Sequence, residues 1–161
     1  MSLKPDDVRI YPAVVLKDTA LEKLYASGAY KPMTMEETVE LCSKMYGMFD
    51  KTGINVIRMG LHPMDFSDGE SPVVAGPYHP AIGFMIKSRY RRKALETLFA
   101  DWRYENNDIK IATLLLPAKN REEYVGMNRE NIFYLKDKFF LTEIICKYTD
   151  SNEPSIQRFF H

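Results

Sequence analysis

Apolar positions along this chain switch between two periods, and the switches mark its elements. Residues 8–16 are mostly apolar and β-branched, the composition of a strand. Pro12 lies inside that run and lacks a ladder donor, so it requires an edge or a bulge. Thr19-x-x-Glu22 and Thr34-x-x-Glu37 are capping-box patterns. In such a box the hydroxyl takes a backbone N–H and the carboxylate reaches back. After Thr34, Met35, Val39, Cys42, Met45, Tyr46 and Phe49 recur at helical spacing and predict one apolar stripe. Gly53 suits the helix C-terminus, and residues 54–59 predict the next strand. Strand, helix and strand in this order form a parallel crossover, the repeating unit of α/β barrels.

The pattern then loosens. Residues 61–80 hold His62, Pro63, Gly69, Pro72, Gly76, Pro77 and Pro80 and predict a loop, with a short extended piece at 73–75. A long helix follows over 81–104, where Leu95, Leu98, Phe99 and Trp102 share one face. The last third changes character. Residues 108–116 predict a strand, Asn120 opens a short helix that Gly126 ends, a second helix covers 128–139, and 141–148 predict a final strand. The fold class expected is therefore α/β: the strand–helix–strand portion of a partial parallel barrel, followed by a small β-α-α-β module. The expected divisions are 4–64, 65–105, 106–150 and a tail, 151–161.

Composition narrows the function classes. The chain has 161 residues, 45% of them hydrophobic, enough for one domain or two small ones. Its formal net charge is zero, which removes a global electrostatic argument for nucleic acid but leaves room for a local patch. No apolar run approaches the ~20 residues of a membrane span. Cys42 and Cys146 read as reduced core residues, consistent with a cytoplasmic protein without disulfides.

The residues Arg9-Ile10-Tyr11-Pro12, Lys17-Asp18-Thr19-Ala20-Leu21 with Leu24, and Val56-Ile57-Arg58 resemble the radical S-adenosylmethionine proteins of the Elongator catalytic-subunit type. In that family such pieces occur late in the barrel. The resemblance implies an intact protein with a [4Fe-4S] cluster that cleaves S-adenosylmethionine to a substrate-abstracting radical. It also implies bacterial relatives that carry a label resembling oxygen-independent coproporphyrinogen III oxidase. Three closely spaced cysteines hold such a cluster. This chain has two, far apart, so it corresponds to a C-terminal part that lacks the cluster and is not itself catalytic. Met1-Ser2-Leu3 reads as a vector-derived start. The expected partner is the N-terminal radical core of the parent chain.

Candidate chemistry lies at four places. Lys17 and Arg58 are expected at the C-terminal ends of two parallel strands, where barrel enzymes gather their sites and a cation meets a carboxylate or phosphate. Each also fits a rim ion pair. Tyr78 and His79, in Gly76-Pro77-Tyr78-His79-Pro80, can exchange protons, or can simply cap the long helix. His62, His79, Asp65, Asp68 and Glu70 have poor spacing for zinc or calcium, and no metal site is expected. Lys87, Arg89, Arg91, Arg92 and Lys93 surround Tyr90, a composition for RNA contact or for a solvated helix face.

Residues 125–132 also resemble the K-homology signature, with Gly126 and Ile132 in place and Arg129 where its second glycine belongs. That resemblance implies a backbone clamp on single-stranded nucleic acid, altered here by the Arg129 side chain. A non-catalytic RNA-binding or interaction module is thus the rival reading. Because cut barrel strands expose Val14, Leu16, Val56 and Ile57, the isolated chain is expected to form a homodimer.

Overall fold

The computed structural model describes residues 5–62 and 71–157. The chain divides into two compact units, Met1–Ile86 and Lys87–His161.

The first unit holds β1 (Asp7–Ile10), β2 (Val15–Leu16), α1 (Ala20–Ala26), α2 (Met35–Lys51), β3 (Asn55–Met59), β4 (Val73–Ala75) and the first turn of α3 (Ile82–Glu105). The expected parallel crossover is present, because β1 pairs parallel with β3 and α2 connects them. Thr34 starts α2 with a complete capping box: its hydroxyl accepts from the Glu37 N–H at 3.2 Å, and Glu37 accepts from the Thr34 N–H at 2.8 Å. Thr19 caps α1 in the same sense, but the Glu22 carboxylate reaches the Asp18 N–H instead, at 2.7 Å. Ile10, Cys42, Ile82 and Ile86 form the buried cluster, with Met35, Tyr46, Phe49, Val56 and Met59 packed on it.

Residues 8–16 are not one strand. The chain leaves the β1 ladder after Ile10, where Pro12 has no N–H to offer, and re-enters pairing as β2, antiparallel to β4. Met45 also departs from the predicted stripe: it is exposed beside the buried arc of α2. Gly60 ends β3 with φ +79, and a Cβ there would lie 2.2 Å from the Ile82 side chain. Glycine at this turn is what lets α3 start against the end of β3.

The second unit contains the rest of α3, β5 (Ile111–Pro117), α4 (Arg121–Val125), α5 (Glu130–Lys138), β6 (Glu143–Thr149) and β7 (Ser155–Ile156). The β-α-α-β order matches the expectation. β5 and β6 run parallel in uninterrupted register from Ile111↔Glu143 to Pro117↔Thr149, and β7 adds antiparallel on the other side of β5. Leu95, Phe99 and Trp102 of α3 pack with Ala112, Leu114 and Leu116 of β5 and with Ile132 and Leu135 of α5. The described strands fall into three separate small sheets, and no closed barrel exists among the described residues.

Candidate functional site

The most specific local feature is an irregularity in the β1–β3 ladder. Val8 pairs with Val56 and Arg9 with Arg58, so Ile57 is an extra residue on β3. Such a bulge re-aims the side chains that follow it. Val56 and Met59 both pack on the same cluster as Ile10 and Cys42, although three positions separate them. Strict alternation would have put them on opposite faces. The bulge therefore places Arg58 beside Arg9, on the face of the ladder away from α2. Arg9 is exposed and Arg58 half-buried.

Two neighbouring guanidinium groups repel each other and create a local field that favours an anion. Each offers forked donors suited to carboxylate or phosphate. Arg58 Nη1 also donates to His62 Nε2. A guanidinium has no acceptor, so in this pair the ring nitrogen accepts. Sequence reading selected Arg58 and missed Arg9, because an arginine in a strand carries no signal of its partner until register is known.

Lys17 does not stand at the end of a strand parallel to β3. It follows β2, and its backbone N–H donates to the Pro72 carbonyl at 2.9 Å beside β4. Gly76 lies at the other end of that short ladder: a Cβ on it would meet the Ala13 carbonyl at 3.2 Å. Lys17 and the Gly76–His79 corner are thus set toward opposite ends of the β2–β4 pair. His79 caps α3. Its Nδ1 accepts from the Ala81 N–H at 3.0 Å, and its carbonyl accepts from the Ile82 N–H at 3.0 Å. Tyr78 is half-buried, and its N–H donates to the Gly76 carbonyl.

Most of the basic run on α3 is engaged within the second unit. Lys87 and Arg91 both meet Glu123, at 3.6 and 3.4 Å. Arg91 also lies over the Tyr124 ring and Arg92 over the Tyr134 ring. Arg92 approaches Glu96 at 3.7 Å, and Lys138 reaches the same carboxylate at 2.5 Å. Arg89 and Lys93 are half-buried and also have interactions. Arg129 is exposed at φ +65, in the left-handed region that favours glycine. Gly126, at φ +80, cannot take a Cβ, which would lie 2.6 Å from the Glu130 side chain.

No group of three or more His, Cys, Asp or Glu is set to hold a metal among the described residues. Asp65, Asp68 and Glu70 lie outside them. The two cysteines do not fit an iron–sulfur cluster. Burial pushes both thiols up, away from the thiolate that ligates iron, and they lie in different units. No helix among the described residues is long and apolar enough to cross a membrane.

Comparison with known proteins matches residues 5–92 to the family described as Radical_SAM C-terminal domain. A stretch of 40 residues is 45% identical to the tRNA uridine(34) acetyltransferase of Methanocaldococcus jannaschii. That stretch is 25% of this chain and 7% of the relative, so the chain spans a small part of the protein it resembles. No solved structure matches. The matched region begins at β1, crosses the whole parallel unit with its arginine pair and ends in α3, and on that extent the chain belongs to the Radical_SAM C-terminal domain family.

Proposed function

We propose that this chain is the C-terminal part of a radical S-adenosylmethionine protein of the Elongator-like type. In this reading β1, α2 and β3 form part of the wall of the parent's partial barrel. The face bearing Arg9 and Arg58 lines its chamber. The observation that carries the reading is the bulge at Ile57, which costs one ladder position and sets two cations side by side on the face that a helix-covered barrel turns inward.

When bound in the parent, the cluster and S-adenosylmethionine supply the radical chemistry. This chain's residues do not ligate the cluster. Arg9 and Arg58 bind and orient an anionic group of cofactor or substrate, and the Lys87–His161 unit closes or recognises the substrate. The N-terminal radical core is the partner, and the compartment is the cytoplasm. A bacterial source and relatives labelled as coproporphyrinogen oxidase-like belong to the same reading. The isolated chain pairs with a second copy through the open β1 edge.

Substitution in the intact parent tests this. Arg9→Ala and Arg58→Ala should each lower turnover by about ten- to a hundredfold, the worth of a charged hydrogen bond, with melting temperature unchanged. Unchanged turnover in both variants removes the pair from the site. The RNA-binding alternative rests on Lys87, Arg89, Arg91, Arg92, Lys93 and Arg129. It draws less support, because Glu123 and Glu96 already pair with Lys87, Arg91 and Arg92.

A further inference from the structure

Helix α2 carries an apolar stripe that its own unit leaves open. Leu41, Met45 and Met48 are 47%, 36% and 69% exposed. At about 100° per residue they fall within roughly 60° of one another. The side chains that pack in one cluster with Ile10, Val56 and Met59 of the ladder are Met35, Cys42, Tyr46 and Phe49. Their mean direction lies roughly 110° further round the helix. The stripe therefore occupies one flank of α2. On the opposite flank Ser43 and Gly47 are buried, and on the stripe's own side Thr38, nearer the helix start, is buried too, so the open part runs from Leu41 to Met48.

The crossover fixes which flank this is. Parallel connections are right-handed, and the connecting helix runs antiparallel to its strands. Viewed from the helix side with both strands pointing up, β3 then lies to the right of β1. A right-handed helix descending over them turns its residues from solvent to the left, to the sheet, and then to the right. Residues that precede the sheet-facing arc by about a quarter turn thus look left, over the outer edge of β1. Leu41, Met45 and Met48 are those residues. β1 has no strand partner on that edge among the described residues.

An open strand edge and an apolar helix flank on the same side have one common complement, a strand followed by a helix. A strand placed beside β1 would take its unpaired backbone groups, and the helix attached to it would lie against α2. We infer that the stripe Leu41–Met45–Met48 and the outer edge of β1 form one continuous docking surface for a strand–helix unit of the radical core. The inference rests on the function proposed above and adds to it the surface through which the core is joined. Neither feature suits solvent: apolar side chains recurring along one helix flank mark an interaction site, and an uncovered strand edge invites pairing.

Methionine footprinting on the longer parent protein and on the 161-residue chain tests this. In the dilute, monomeric 161-residue chain, Met45 and Met48 should be converted to sulfoxides readily, as should exposed Met127. In the parent, sulfoxide formation at Met45 and Met48 should be lost while Met127 still reacts. A double variant, Met45→Glu with Met48→Glu, should leave the melting temperature of the 161-residue chain unchanged and lower that of the parent. Met45 and Met48 that react equally in both proteins overturn the docking surface. So does protection that grows with concentration in the 161-residue chain but is missing in the parent, which assigns the stripe to a second copy. Iron, sulfide and 5′-deoxyadenosine assays on the same parent test the radical reading separately. A parent that holds a cluster yet leaves both methionines reactive keeps that reading and loses this surface. A gene that encodes no strand–helix units ahead of Pro5 removes both.

Discussion

In residues 87–157 eleven buried residues form one cluster, drawn from α3, β5, α4, α5, β6 and the turn before it, whereas the corresponding cluster among the described residues of the first unit, 5–62 and 71–86, holds four. The second unit also keeps its polar groups at home. Asn131, 1% exposed, donates to Ser88 Oγ at 2.9 Å and to the Tyr124 carbonyl at 3.1 Å, and Glu123 and Glu96 gather the cations of α3. Among its described residues the first unit has two two-stranded sheets, a β1 edge without a strand partner and an exposed apolar flank on α2. Two-stranded sheets are marginal by themselves, and parallel ones occur with both faces covered. The contrast separates a module with one large buried cluster from a segment whose described residues share a small one. It is the segment with the smaller cluster that the family match covers in full.

The largest effect expected from this contrast is in the second core. Phe99 is fully buried and stacks on Phe139 at 5.6 Å, so Phe99→Ala should cost about 3–5 kcal/mol of that unit's stability. Ile57→Thr, on the exposed bulge of β3, should cost less than about 1 kcal/mol. Chemical denaturation of both variants measures the difference, and equal losses would break the comparison.

Gly60→Ala should destabilise the first unit by about 1–3 kcal/mol, because the position combines a positive φ with contact on Ile82. An unchanged melting temperature would show that the β3–α3 turn adjusts freely. Phe140 offers the reverse case. It occupies the left-handed position after α5 at φ +54, while the Leu141 N–H donates back to the Lys136 carbonyl at 2.9 Å, a Schellman ending. Phe140 is 79% exposed, so its ring repays little of that strain. Phe140→Gly should raise stability by up to about 1 kcal/mol.

The smallest effect is electrostatic. The Thr34 N–H and hydroxyl hold the Glu37 carboxyl below its usual range. A depressed folded-state pKa means stability that is present above the unfolded value and lost as pH falls through the folded one. The cap of α2 should therefore weaken only in acid, and Glu37→Gln should flatten that acid dependence in a pH series of thermal melts.

Much of this was legible in residues 5–157. The crossover, the long helix and the β-α-α-β order follow from hydrophobic period and turn residues, and Gly53 and Gly126 punctuate as expected. What escaped depends on pairing. Pro12 signalled an edge or a bulge, yet only register shows that the chain quits one ladder and enters another, which leaves Lys17 and Arg58 beside different sheets. The Arg9–Arg58 pair is created by one extra residue in β3, and no local composition announces a bulge. His79 shows another limit: its residue type suggests proton transfer or a helix cap, and only the structure shows the hydrogen bonds of the cap.

Native-state hydrogen exchange on the 161-residue chain tests the central claim most directly. Amides of Ala112–Leu116 and Ile144–Cys146 should exchange only through global opening of their unit. Those of Val8–Ile10 and Val56–Met59 should exchange through openings several-fold to many-fold more frequent, since few buried contacts hold that ladder. Protection in β1 and β3 equal to that in β5 and β6 would contradict the account and make the first unit a self-sufficient domain.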